Sequence, residues 1–148
     1  MKLYKDLFIK VLSDLRKDIE LYSDEKDLWK LQGDIKNSPG TLCFHLCGNL
    51  KHNIGAILGG SGYVRDRNSE FTKRDLPKAE ILKEIDETIE IVNSVLEKLK
   101  QENINLPFED PAFGEGYTLG SALTRLAWHL GYHAGQVNYH RRLLTSGN

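Results

Sequence analysis

The sequence predicts an all-α protein, a four-helix bundle in which residues 1–148 form one domain. Apolar residues recur at intervals of three and four over four long segments, which is the periodicity of helices. No segment alternates apolar and polar residues over a useful length, so strands are not expected. The 148 residues are 40% hydrophobic and 28% charged, a composition sufficient for one hydrophobic core.

The first helix is predicted over residues 2–22. Its apolar stripe consists of Leu3, Leu7, Val11, Leu15 and Ile19. Residues 23–37 are polar and mixed, and we expect Trp29 and Leu31 to anchor this segment against the bundle.

The second helix is predicted to begin after Ser38, a good N-cap residue that precedes a proline suited to the first helical position. Thr41 is an alternative start. The helix should continue to about Leu58, where a pair of glycines ends it. A loop is expected over residues 61–76.

The third helix should follow Pro77, since one apolar stripe runs through the next two dozen residues between lysines and glutamates. An irregular loop is expected over residues 103–117, which contain two prolines and two glycines. Thr118 is the candidate N-cap of the fourth helix, which should run to about Leu144.

Charge and hydropathy restrict the partners. Twenty basic and twenty-one acidic residues give a net charge of −1, and no basic cluster dominates any face, so nucleic acid is not expected as a partner. No run approaches the roughly 18 apolar residues that cross a bilayer, and no leader is apparent at Met1. We therefore expect a soluble, cytoplasmic protein without a membrane partner.

Two histidines, His129 and His133, stand four residues apart on the predicted fourth helix, so that their side chains share one face. His45 lies on the predicted second helix. If the three imidazoles converge, they could hold one metal ion and leave coordination positions open for chemistry. The alternative is that each histidine is a hydrogen-bonded core residue. The residue after His129 is leucine, so the glutamate of the HExxH protease motif is missing.

Each histidine belongs to a polar stripe beside an apolar one, as a cleft between helices requires. Asn49 and His52 continue the stripe of His45, and Gln136 and His140 continue that of the fourth helix. We interpret Asn49 and Gln136 as candidates to orient the ligands or bind substrate. His52 and His140 are interpreted as residues of the rim or the solvent-exposed surface, with His52 kept as a further candidate for substrate binding.

The cysteines, Cys43 and Cys47, are predicted to be buried and reduced, because one helix holds both in a geometry that disfavours a mutual disulfide. At about 100° per residue they lie about 160° and 200° around the helix from His45. They are therefore not expected to share its metal.

A second stripe on the fourth helix consists of Trp128, Tyr132 and Tyr139, away from the leucines of the same helix. It predicts that this helix packs on two sides. The second contact is either another helix of the bundle or the interface of a homodimer.

The motifs together resemble the DinB-like superfamily over nearly the whole chain. They are His-Leu-Cys-Gly-Asn-Leu at 45–50, the glycines at 59–60, Arg-Asp-Arg at 65–67 with Glu-Phe at 70–71, and Trp-His at 128–129 with His133, Gly-Gln at 135–136 and Tyr139. This resemblance implies a four-helix bundle, often dimeric, that carries a divalent ion, commonly nickel or zinc. The implied ligands are His45, His129 and His133.

The resemblance also implies functions. Relatives include thiol S-transferases and a thiol-dependent isomerase, in which a metal presents a low-molecular-weight thiol as thiolate. The chain is therefore expected to be a metal-dependent thiol S-transferase acting on small-molecule electrophiles. The alternatives are a hydrolase that activates water, and a metal-binding stress-response module without turnover. Arg65 or Arg67 could bind an acidic cofactor, or could form local ion pairs instead.

Overall fold

A computed structural model describes residues 1–145, and five α-helices account for most of them. The helices are α1 (Lys2–Glu20), α2 (Pro39–Leu50), α3 (Arg67–Thr72), α4 (Lys78–Lys98) and α5 (Leu119–Thr145). Short 3-10 helices cover Glu25–Trp29 and Gln101–Asn105. Within the described residues no strand is present, and the one isolated bridge joins Pro107 to Thr118. The predicted all-α bundle of four long helices is confirmed.

The start of α2 follows the predicted capping chemistry. The Ser38 hydroxyl accepts a hydrogen bond from the Thr41 amide at 3.3 Å, and Pro39 occupies the first turn. Trp29 anchors the preceding segment as predicted, since its indole donates to the Leu76 carbonyl at 3.1 Å and packs against Gly40, where no side chain would fit. The prediction for Leu31 is wrong, since this residue is 55% exposed and does not anchor the segment.

Beyond α2 the chain stays helical to Leu58, the predicted end, but as a π-helix over Lys51–Leu58. The Gly59 amide accordingly donates to the Ile54 carbonyl, five residues back, at 3.0 Å. The buried Lys51 ammonium ties this π-helix to α4 through ion pairs with Glu84 and Glu87, at 2.9 and 2.8 Å. Positions after Leu50 therefore no longer follow the spacing of 3.6 residues per turn.

The predicted loop 61–76 contains α3, which the sequence analysis missed because six residues are too few to show periodicity. Asp66 caps α3, its carboxylate accepting from the Ser69 amide at 2.9 Å. At the start of α5, the Ser121 amide donates to the Thr118 hydroxyl at 3.2 Å, as predicted for an N-cap.

The long helices surround one apolar core. Helix α1 packs on α4 and α5, while α2 packs on α3, α4 and α5. The Asp18 carboxylate on α1 accepts from Asn138 on α5 at 2.9 Å, which adds a polar tie between these two helices. Among residues 1–145, no helix combines the length and apolarity needed to cross a membrane. Because α2 and α5 are neighbours, their histidines can meet.

Candidate metal centre

The structure brings His45, His129 and His133 together between α2 and α5. One ring nitrogen of each histidine lies within 4.8 Å of the others, and Nε2 of His45 lies 3.1 Å from Nε2 of His129. His45 is buried, and the other two are half-buried. The predicted convergence of three imidazoles is therefore confirmed.

These nitrogens are spaced for one cation. Nitrogens bound at about 2 Å around a tetrahedral ion lie about 3.3 Å apart, so the separation between His45 and His129 already fits. The widest separation within the group does not exceed 4.8 Å. Two imidazole lone pairs at 3.1 Å repel each other unless a proton or a cation lies between them, so the group could hold a metal ion.

Glu70, at the end of the Arg-Asp-Arg-x-x-Glu motif, orients the His45 ring. Nδ1 of His45 donates to Oε2 of Glu70 at 3.0 Å, which directs the lone pair of Nε2 at the centre. Arg65 holds the carboxylate in turn through two hydrogen bonds, at 2.6 and 2.9 Å. The role of Glu70 could not be predicted from the motif, because its contact with His45 depends on the unpredicted α3.

Gly48 makes room for this carboxylate. A Cβ atom at position 48 would collide with the carboxylate and Cγ of Glu70, so only glycine lets α3 bring Glu70 onto α2. The ring of Phe71 packs on the ring of His45, with centroids 4.8 Å apart. Glu70 and Phe71 thus hold the His45 ring, and Gly48 leaves the space that Glu70 needs.

Gln136 orients the ring of His133, since its Oε1 accepts a hydrogen bond from Nδ1 of His133 at 2.7 Å. Nε2 of His133 is thereby left with its lone pair. Gln136 was a candidate to orient the ligands, and it contacts one of them.

The surroundings keep two imidazoles neutral, the form that binds metal. Burial, with the neighbouring His133 and His45, lowers the pKa of His129 from 6.5 to about 4. Burial also lowers the pKa of His133, and this effect outweighs the hydrogen bond to Gln136, which acts to raise it. Burial alone would raise the pKa of Glu70, but the hydrogen bonds from His45 and Arg65 outweigh it and lower that pKa.

A polar cleft of about 410 Å³ opens from the centre, on the side of His45 and His129. Asn49 and His52 line it, as do both loop arginines. Arg65 forms the local ion pair with Glu70, the second of its two predicted roles. Arg67 is exposed and lies over the Phe71 ring, 5.6 Å from its centroid.

His52 and His140 occupy different environments. His52 is half-buried at the cleft and pairs through Nε2 with Asp110 at 3.0 Å, so its predicted rim position holds. The prediction for His140 is wrong, because this ring is only 4% exposed. Its Nε2 donates to the Lys30 carbonyl at 3.1 Å and its Nδ1 accepts from the Tyr22 hydroxyl at 2.9 Å, since the chain following α1 covers this end of α5.

A second cavity of about 650 Å³ lies on the other side of His133 and Gln136. Its walls are mainly apolar and include Leu42, Tyr132 and Tyr139. The centre therefore borders a polar space on one side and an apolar space on the other.

Both cysteines are buried and reduced, as predicted, and lie outside the histidine group. The aromatic stripe of α5 is largely exposed to solvent: Trp128, Tyr132 and Tyr139 are 67%, 54% and 65% exposed. The interpretation of this stripe as a contact within the bundle is thus wrong. The homodimer stays a prediction.

Comparison with known proteins gives one family. The family model described as "Protein of unknown function (DUF1572)" matches residues 2–148. No curated protein matches the chain.

Proposed function

The chain belongs to the DUF1572 family, and from its histidine centre we propose that it is a metal-dependent thiol S-transferase that acts on small electrophiles. The observation that carries the proposal is the convergence of His45, His129 and His133, two of whose rings are oriented by Glu70 and Gln136. The DinB-like resemblance of the sequence supports it and makes nickel or zinc the proposed ion.

A divalent ion held there would lower the pKa of a bound thiol and so supply a thiolate at neutral pH. Three neutral imidazoles bring no negative charge, so the ion keeps its full charge toward an anionic sulfur. Glu70 and Gln136 keep two rings from rotating away. The low pKa of His129 keeps its nitrogen available to the ion rather than to a proton.

The two cavities suit two substrates. The polar cleft beside His45 and His129 suits a hydrophilic thiol, and the apolar cavity beside His133 suits an uncharged electrophile. In the reaction, a sulfur–carbon bond forms, the bond from that carbon to its leaving group breaks, and the thiol proton is released to solvent.

The metal centre is tested by elemental analysis of protein purified without a histidine tag. The wild type is expected to contain about one equivalent of nickel or zinc. His133→Ala should lose most of it, because two imidazoles bind far more weakly than three. The matched control His52→Gln changes a cleft histidine outside the group and should retain it. Full metal content in His133→Ala would overturn the assignment of the ligands.

The reaction is tested with monochlorobimane and a panel of low-molecular-weight thiols. Turnover that requires both a thiol and the metal supports transfer. Thiol-independent turnover of activated esters would instead identify the hydrolase that uses metal-activated water. If metal-loaded protein turned over neither substrate, the result would favour the third alternative, a metal-binding module without catalytic activity.

A further inference from the structure

The apolar cavity beside His133 runs along one side of α5. Its lining on this helix extends from His133 at least to Leu143, ten residues later, which corresponds to about 15 Å. Its other wall is formed by the segment before α2 and the first turn of α2, with Ile35, Pro39 and Leu42. A volume of about 650 Å³ lies within the usual range of small-molecule sites. The cavity therefore has the dimensions of a site for an elongated small molecule.

The cavity is continuous with the histidine centre. His133 belongs to both, and Gln136, which orients its ring, also lines the cavity. On the other wall, Leu42 precedes His45 by three residues, about 5 Å along α2. One end of a molecule bound in the cavity therefore lies beside the imidazoles.

The polar atoms in the walls are already paired. His140 donates to the Lys30 carbonyl and accepts from the Tyr22 hydroxyl, so both of its ring nitrogens are occupied. Nδ1 of His133 is bonded to Gln136. Within residues 1–145, none of the buried side-chain atoms that lack a partner belongs to a residue of this cavity. The interior therefore offers a ligand apolar contact rather than hydrogen bonds.

The cavity carries no net charge. Among the residues that line it, Asp34 and Lys36 bear opposite charges, and both are exposed at its edge. Burial lowers the pKa of His133 and of His140, so both rings are neutral at pH 7. A charged ligand would lose its hydration here without meeting a compensating charge, so the cavity suits uncharged molecules.

Large apolar side chains cluster around the opening. Ile35, Tyr132, Tyr139 and Leu143 are all exposed, and all four line this one cavity. A contiguous apolar surface of this kind marks a binding site. The Tyr132 ring is held edge-on to His133, with centroids 5.1 Å apart. Because two tyrosine rings line the opening and rings favour stacked or edge contacts with other rings, the walls suit a flat aromatic ligand.

We infer that this cavity selects the electrophile, and that its substrates are uncharged aryl compounds such as arylmethyl halides. The reactive carbon lies toward His133, and the aromatic ring lies between Tyr139 and the segment 35–42. The thiol sulfur forms a bond with the benzylic carbon, the carbon–halogen bond breaks, halide leaves and the thiol proton goes to solvent. The reaction rests on the proposed function, while aryl binding is tested without it.

The first experiment is a ligand-detected NMR titration with 4-nitrobenzyl alcohol, the unreactive counterpart of 4-nitrobenzyl chloride. We expect saturable binding with a dissociation constant below about 1 mM. 4-Nitrobenzoate should bind at least fivefold more weakly, because its carboxylate loses hydration in an apolar site. Absence of saturable binding, or equal affinity for the two compounds, would overturn the inference.

A pair of variants in the segment before α2 locates the ligand. Ile35 and Leu31 are both exposed apolar residues, but only Ile35 lines the cavity. Ile35→Ser should weaken binding of 4-nitrobenzyl alcohol at least threefold, whereas Leu31→Ser should leave it unchanged. Equal affinity in the two variants would show that the ligand binds elsewhere.

A second pair fills the cavity from α5. An added Cβ meets nothing within 4 Å at Gly131 or at Gly135, so both positions accept a side chain, but only Gly135 lines the cavity. Gly135→Leu should weaken binding at least tenfold, and Gly131→Leu should not. Unchanged affinity in Gly135→Leu together with an altered sedimentation mass would identify a second copy of the chain as the occupant and overturn the inference.

Turnover by metal-loaded protein with a thiol connects the cavity to the reaction. Gly135→Leu should lower kcat/KM for 4-nitrobenzyl chloride at least tenfold, and for 2-chloroacetamide, a small electrophile without a ring, less than twofold. Equal losses would contradict the role in selection. If the wild type bound 4-nitrobenzyl alcohol as expected but turned over neither electrophile, the proposed S-transferase would be overturned and the aryl site would stand.

Discussion

Glu70 and His45 form a carboxylate–imidazole pair at 3.0 Å, in which α3 supplies the carboxylate and α2 the ring. Such a partner fixes the tautomer of a metal-binding histidine and makes the opposite nitrogen more basic. A six-residue helix in a connecting segment thereby controls the geometry of the centre.

Replacing Glu70 should therefore weaken metal binding without removing a ligand. We expect Glu70→Ala to reduce zinc affinity by about 10- to 100-fold, because the His45 ring loses the group that orients it. Competition with a chromophoric chelator measures the affinity. Glu90→Ala, an exposed glutamate on α4, is the control, and equal affinity in the two variants would contradict this role.

Gly48 should tolerate no side chain. Gly48→Ala places a methyl group against the Glu70 carboxylate, so α3 must move away from α2 and the His45 contact is lost. Zinc affinity should fall as in Glu70→Ala, although alanine favours helices over glycine by about 1 kcal/mol. Gly135→Ala on α5, where an added Cβ meets nothing within 4 Å, should keep its affinity and gain stability.

His140 should affect stability and not metal content. His140→Phe leaves the Lys30 carbonyl without the donor it has in His140, and leaves the Tyr22 hydroxyl with only its longer contact to the Val137 carbonyl at 3.4 Å. We expect this to cost about 1–3 kcal/mol of unfolding free energy. Urea denaturation measures that loss. Metal content per folded chain should equal that of the wild type, and a lower content would mean that His140 contributes to the centre.

Acid should destabilise the metal-free protein. Burial lowers the native pKa of His129 to about 4, below the 6.5 of an unperturbed histidine. The unfolded chain then binds a proton that the native chain does not, so stability falls as the pH drops from about 6.5 towards 4. Urea unfolding at a series of pH values should show a steeper fall for the wild type than for His129→Gln. Identical slopes would contradict the lowered pKa.

The aromatic stripe of α5 should mediate a homodimer. Trp128 and Tyr132 stack with centroids 5.5 Å apart and are mostly exposed, which is unusual for large rings without a partner. Sedimentation at micromolar concentration should give about twice the 16.8 kDa of one chain. Trp128→Glu combined with Tyr132→Glu should give the monomer mass, and a monomeric wild type would refute the dimer.

Much of this architecture could be predicted because local signals and tertiary structure agree. Ser38 is the N-cap of α2 and Pro39 lies in its first turn, as their chemistry predicts. His129 and His133 share one face as predicted, because α5 is a regular helix. The meeting of His45 with these two histidines could be predicted because both helices carry a polar stripe beside an apolar one.

The remainder depended on contacts that periodicity does not encode. A helical projection places His140 on the same face as His133. It does not show that the chain after α1 covers this end of α5 and buries His140. Glu70 acquires its role only when α3 docks on Gly48. The π-helix changes the direction of side chains after Leu50, and its sequence carries no simple signal.

The two buried thiols of α2 bear on the proposed S-transferase reaction. Burial raises the pKa of Cys47 to about 12 and raises that of Cys43 as well, so neither is a thiolate at neutral pH. An electrophile that enters the centre therefore meets no competing nucleophile on the helix that bears His45. In the proposed reaction, the protein would thus be shielded from inactivation by its electrophile, and only the sulfur delivered from solution would be consumed.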